Sequence, residues 1–140
     1  MGIEIERKFL LKNDRWRAEA DQGTTFKQGY MTQDGPASVR VRIEGDKANI
    51  NIKSANPGMH LLEYEYPIPL AEAIELLQQL CIKPLIEKTR YHVMHQGKLW
   101  EVDVFAGDNS GLEVAEVELD SMDEKITLPD WVAEEVTDDK

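Results

Sequence analysis

The chain has 140 residues, 41% of them hydrophobic and 31% charged, with a formal net charge of −11 at pH 7. That length suits one domain with one core, and so acidic a molecule repels nucleic acid polymers and anionic membranes, though a small polyanion can still bind in a locally basic pocket. No apolar run approaches the ~20 residues that span a bilayer, MGIEIERK does not read as a secretory leader, and the lone Cys81 excludes an internal disulfide, so one cytoplasmic domain over residues 1–140 is expected.

In chain order, residues 3–10 read as a strand on which Glu4, Glu6 and Lys8 share one face and Ile5 and Phe9 the other. Residues 13–20, NDRWRAEA, predict a short helix capped by Asn13 or Asp14. Strands are expected over 25–32, 37–44, 47–54 and 61–68, separated by turn sequences such as Gln33-Asp34-Gly35-Pro36 and Asn56-Pro57-Gly58. On these strands Arg40 and Arg42 oppose Val39, Val41 and Ile43. Lys53 lies with Asn49 and Asn51 opposite Ile50 and Ile52, and Glu63 and Glu65 alternate with Leu62, Tyr64 and Tyr66.

Residues 70–80, LAEAIELLQQL, space Leu70, Ala73, Ile74, Leu77 and Leu80 as the apolar face of a helix packed on the sheet. Cys81 reads as a small buried hydrophobe. Strands follow over 87–95, 98–105 and 112–119. In them Lys88 and Arg90 alternate with Thr89 and Tyr91, Glu101 and Asp103 oppose Trp100, Val102 and Val104, and Glu116 and Glu118 oppose Ala115, Val117 and Leu119. After Pro129, DWVAEEVTDD predicts a terminal helix with Trp131 and Val132 turned inward.

An antiparallel sheet with one wet face alternates in the same way. Here, however, the charges are sorted by sign from strand to strand, whereas a merely solvated face mixes them. Eight strands suffice to close a barrel. The expected architecture is α+β: an eight-stranded antiparallel β-barrel with helices packed outside and a charged lumen. That lumen holds seven acids (Glu4, Glu6, Glu63, Glu65, Asp103, Glu116, Glu118) and six bases (Lys8, Arg40, Arg42, Lys53, Lys88, Arg90). Charges withdrawn from water are costly unless paired, hydrated or bound to ions, so such a lumen must be a site.

Arginines and lysines converging from several strands suit a ligand with several phosphate groups. Clustered carboxylates suit Mg²⁺ or Mn²⁺, and the two sets together point to a metal–polyphosphate complex. His92 and His95, three apart on a strand, face opposite ways and make no metal pair, although His92 could enter the lumen. In FKQGYM, Lys27 is weighed as a contact at the tunnel mouth against a solvated lysine. Trp16, Trp100 and Trp131 read as core aromatics.

Glu4-Ile5-Glu6-Arg7-Lys8 resembles the ExExK signature of the CYTH, or triphosphate tunnel metalloenzyme, family. Arg40-Val41-Arg42, Lys53, Glu63-Tyr64-Glu65, Lys88-Thr89-Arg90, Asp103 and Glu116-Val117-Glu118 follow in the order that family shows, and GKLWEVDVFAGDNSGLEVAEVEL is similar to its short bacterial members. The resemblance implies an eight-stranded tunnel that binds triphosphate end to end, and metal-dependent hydrolysis. By position it implies Lys8, Arg40, Arg42, Lys53, Lys88 and Arg90 as triphosphate ligands and Glu4, Glu6, Glu116 and Glu118 as metal-site carboxylates. Glu63, Glu65 and Asp103 match acidic positions that serve metal, water or the orientation of basic neighbours.

The expected reaction is hydrolysis of inorganic tripolyphosphate by metal-activated water, with Glu4, Glu6 and Lys8 at its centre, two ions when substrate is bound, and no nucleophilic side chain. Adenylate cyclase, thiamine or nucleoside triphosphatase and a non-catalytic polyphosphate-binding module are the alternatives. A homodimer is a further implication of the resemblance. Similar bacterial proteins run on after a stretch matching EEVTDDK, which leaves open how one tunnel mouth closes.

Overall fold

The computed structural model describes residues 3–54 and 60–137. Its strands are β1 (Ile3–Leu11), β2 (Thr24–Thr32), β3 (Ala37–Glu44), β4 (Lys47–Ser54), β5 (His60–Ile68), β6 (Ile86–His95), β7 (Lys98–Ala106), β8 (Glu113–Glu118) and β9 (Val132–Glu135), with α1 (Leu70–Gln79) between β5 and β6. They form a nine-stranded antiparallel sheet in the order β5-β4-β3-β2-β6-β7-β8-β1-β9, with a further pairing of β1 to β5. That pairing sets Ile3, Glu4 and Ile5 opposite Leu62, Leu61 and His60. The expected turn at 56–58 lies outside the described residues.

Short hairpins hold the register. β6 and β7 are joined through Gln96 and Gly97, both at positive φ (50° and 78°), the conformation that lets a two-residue turn follow the twist of its strands. From that turn the ladder runs unbroken from His95↔Lys98 to Glu87↔Ala106. Because side chains alternate, this register places Lys88, Arg90 and His92 on one face and Val93 on the other.

The apolar face carries two clusters. In one, Phe9, Trp16, Val93, Trp100, Val102, Ala115, Val117, Trp131 and Val132 are buried together. In the other, Ala73, Leu77 and Cys81 pack on Val41 and Ala48. Gly29 of β2 allows that close approach: a Cβ there would lie 2.7 Å from Leu85 Cδ2 and 3.0 Å from Cys81 Cβ.

Of the three expected helices, only 70–80 is an α-helix among the described residues. Residues Arg15–Glu19 form a 3-10 turn that Asp14 does not cap with its side chain. Asn13 Oδ1 instead accepts from the Arg15 amide at 2.9 Å. The terminal segment expected to be helical is β9, which adds a strand to the eight expected and pairs Leu11 with Val132 and Phe9 with Glu135. The physical reason lies in β1. Its pairing with β5 involves only Ile3–Ile5, so beyond it the backbone groups on that edge need a partner, which an extended segment supplies and a helix cannot. Trp131 and Val132 are nevertheless turned inward as expected, each 5% exposed.

Candidate functional site

Register carries every expected site residue onto one face of the sheet. Lys8 is opposite Glu116, and Glu6 opposite Glu118, across β1 and β8. Glu116 is opposite Glu101 across β8 and β7, and Asp103 is opposite Arg90 across β7 and β6. β2 continues the face through Phe26 and Gln28, opposite Lys88 and Ile86. Arg42 and Arg40 then lie opposite Asn49 and Asn51, and Asn51 and Lys53 opposite Glu65 and Glu63.

Asp103 anchors one corner. Its side chain is 2% exposed and accepts hydrogen bonds from Lys88 Nζ at 2.6 Å and from Arg90 Nε and Nη2 at 2.8 and 2.9 Å. Arg90 also reaches Glu101 at 3.2 Å and Glu116 at 3.3 Å. Burial alone would raise the Asp103 carboxyl, but the Arg90 hydrogen bonds and the charges of Lys88 and Arg90 outweigh it and hold the group below its ordinary value. With its oxygens taken up in this way, Asp103 orients the bases beside it.

The β3–β5 side is looser. Lys53 Nζ lies 3.0 Å from Glu4 and 3.7 Å from Glu63, and these carboxylates, with Glu6, raise its pKa against the opposing effect of burial. Arg42 reaches Glu65 at 3.5 Å and Glu44 at 3.6 Å. Arg40 Nε donates to Asn51 Oδ1 at 3.3 Å, and Asn51 donates to Glu65 at 2.9 Å. Among the described residues neither Lys8 nor Arg40 is paired with a carboxylate.

The acids crowd where β1 meets β8. Glu6 is pushed up from 4.5 to about 8 by burial first, then by Glu116 and Glu4. Glu118 is raised by burial, Glu4, Glu101 and Glu63. A cavity of about 620 Å³ lies to one side, lined by Glu101, Glu116, Glu118, Asp120 and Lys98 together with Ile5, Gly97, Leu99 and Leu119; Glu4, Glu6 and the six bases of the face are not part of its lining. Among the described residues no three acidic, histidine or cysteine groups converge as a ready-made metal cage. Carboxylates gathered on a partly buried face are a donor set that suits a divalent cation, which takes oxygen ligands.

On β2 the solvated reading of Lys27 fits the structure, and Gln28 is the polar residue that the sequence reading did not single out. Lys27 is exposed and lies across from Ile43 and Glu87, on the face away from the site, while Phe26, Gln28 and Tyr30 face the charges. Buried Gln28 Oε1, Arg42 Nε and Asn49 Oδ1 lie side by side across three strands without a hydrogen-bond partner among the described residues. The alternation of β2, counted from Phe26, carried that signal. His92 does reach this face, its Nδ1 3.1 Å from Asp21 and its Nε2 3.5 Å from Glu101.

The CYTH domain family profile matches residues 2–140. An inorganic triphosphatase of Acetivibrio thermocellus is 46% identical over 139 residues, 99% of this chain and 88% of that protein. One of Nitrosomonas europaea is 36% identical over 141 residues, 98% of this chain and 91% of that protein. The crystal structure of an inorganic triphosphatase superposes with a TM-score of 0.67 at 36% identity, covering 98% of this chain and 88% of that one.

Proposed function

The chain belongs to the CYTH family, and on that premise we propose that it is a divalent-metal-dependent triphosphatase that hydrolyses inorganic tripolyphosphate to pyrophosphate and phosphate. The observation that carries this reading is the convergence of Lys8, Arg40, Arg42, Lys53, Lys88 and Arg90 on the sheet face that also gathers Glu4, Glu6, Glu116 and Glu118. In this reading the β1–β5 pairing joins the ends of an eight-stranded series into a tunnel, with β9 outside it.

Lys8 and Arg40, unpaired with carboxylates among the described residues, meet the phosphate chain directly, and Arg42 offers its partnerless Nε. Lys88 and Arg90, held by Asp103, present charge that needs no rearrangement as negative charge builds on the phosphoryl oxygens. Glu63 and Glu65 keep Lys53 and Arg42 turned toward the face. Glu4, Glu6, Glu116 and Glu118 would hold Mg²⁺ or Mn²⁺, two ions when substrate is present. Such ions neutralise phosphate oxygens and lower the pKa of an attacking water. Burial, with Glu116 and Glu4 beside it, lifts Glu6 to about 8, and a cation there would offset the cost of its charge, which supports this assignment.

The reading also takes residues 1–140 as one domain acting in the cytoplasm as a homodimer, with no nucleic acid polymer or membrane as partner. Among the described residues no helix is long and apolar enough to cross a membrane. The test is a panel of tripolyphosphate, ATP and thiamine triphosphate with each metal, read for phosphate, pyrophosphate and cyclic AMP. The expected result is metal-dependent phosphate release, fastest from tripolyphosphate. Cyclic AMP from ATP would favour the cyclase, and tight binding without turnover a non-catalytic module.

A further inference from the structure

Phe26 projects from β2 onto the charged face and is 4% exposed, yet it belongs to neither hydrophobic cluster. Cations cover its ring. The guanidinium carbons of Arg90 and Arg42 lie 5.0 and 5.1 Å from its centroid, and Lys88 Nζ lies 5.5 Å from it. β2 runs between β3 and β6, and Phe26 is set opposite Glu44 on one side and Lys88 on the other, with Arg42 opposite Gln28 and Arg90 opposite Thr24, each one same-face step along the neighbouring strand.

The three cations are not equally held. Lys88 and Arg90 share the buried Asp103 carboxylate at 2.6 to 2.9 Å. Arg42 has carboxylates only at 3.5 and 3.6 Å and a buried Nε without a partner. Burial, then the charges of Arg40 and Arg90, disfavour its charged form. Glu44 and Glu65 offset this only in part; an aliphatic side chain at position 26 would fill space and add nothing against the repulsion, whereas an aromatic face offers negative quadrupole density to each cation.

We propose that Phe26 is a positioning residue: its ring face holds Arg42 beside the Asp103-anchored Lys88 and Arg90, so that bases from two strands that do not touch form one prearranged phosphate cradle. The proposal rests on the triphosphatase reading and adds to it a group that contacts no substrate. It gives a role to an aromatic ring buried among the cations of this face.

The test replaces Phe26 alone with mono-, di- and trifluorophenylalanine, which keep the ring's shape while draining its negative face. The expected result is a stepwise rise in KM for tripolyphosphate, about tenfold across the series, with kcat changed less than about twofold and with Phe26→Tyr close to the parent protein. The same series at Phe105, whose ring meets one cation among the described residues, Lys88 at 5.4 Å, should give a smaller slope. A flat response at Phe26, or a folded Phe26→Leu variant with unchanged KM, overturns the proposal. A Phe26→Leu variant that fails to fold leaves the fluorinated series to decide. If the parent protein releases no phosphate from tripolyphosphate, the proposed activity falls. Calorimetric binding of tripolyphosphate across the fluorinated series then decides the role of Phe26, and absence of binding overturns both.

Discussion

The β6–β7 corner and the β3–β5 wall of the charged face use similar residues in opposite ways. At the corner, Asp103 is buried and its oxygens are taken up by Lys88 and Arg90 at 2.6 to 2.9 Å. Along the wall, Arg42 and Lys53 meet carboxylates at 3.0 to 3.7 Å, the Glu65 side chain is 50% exposed, and Gln28, Arg42 and Asn49 keep polar atoms unpaired. Saturated buried pairs hold a fold in one arrangement, whereas unpaired buried polar atoms carry a standing desolvation cost that a ligand can relieve. In the proposed triphosphatase the corner would be rigid before substrate arrives, and the wall would be completed by it.

Breaking the corner should have the largest effect. Asp103→Asn takes from buried Lys88 its carboxylate partner and leaves Arg90 with Glu101 and Glu116 alone, and should cost about 3 kcal/mol of stability by urea denaturation. Glu65→Gln, at the exposed wall, should cost no more than about 1 kcal/mol. The Asp103 contribution has a definite pH sense. Its carboxyl is depressed in the fold, so the stabilisation is present above the unfolded-state value and lost as pH falls through the folded one. Equal losses in the two variants would erase the distinction between the regions.

Lys8→Ala sharpens the contrast from the substrate side. Because Lys8 has no carboxylate partner among the described residues, its removal should leave the thermal midpoint nearly unchanged while phosphate release from tripolyphosphate falls by about 10²-fold. A variant that melts early and keeps its rate would make Lys8 structural.

Glu6 supplies a pH signature of the crowded acids. Between its ordinary 4.5 and the value of about 8 in the fold, the unfolded chain has released a proton that the folded chain retains, so stability should fall as pH rises through that window and level off above it. Urea midpoints from about pH 5 to about pH 9 would show this slope, and Glu6→Gln should flatten it. The smallest effect is expected at Asn49. Asn49→Leu should leave the free protein as stable or stabilise it by up to about 1 kcal/mol, since a partnerless buried carbonyl oxygen is removed, while KM for tripolyphosphate rises.

Much of this face was legible before folding because period two is a local property. Glu4, Glu6 and Lys8, Arg40 and Arg42, Lys88 and Arg90, and Glu116 and Glu118 could each be assigned to a face from their own strand alone. Where two periods fit a short segment, the reading failed. WVAEEV suits either a helix or a strand, and the unpaired edge of β1 beyond Ile5 decided between them. Lys27 drew attention by its charge, although one strand's alternation does not say which face joins the site. Its neighbours Arg42 and Lys88 put Phe26 and Gln28 there.

The amino-acid sequence by itself determined the first eight strands along the chain and most of the acids and bases of the face, because these depend on alternation and composition. Only the tertiary structure decided which base is locked to Asp103, which polar atoms are left waiting and that an aromatic ring underlies three cations. Those outcomes depend on register between strands far apart in the chain, and in a low-dielectric interior a difference of about 1 Å separates a saturated ion pair from one still open to a ligand.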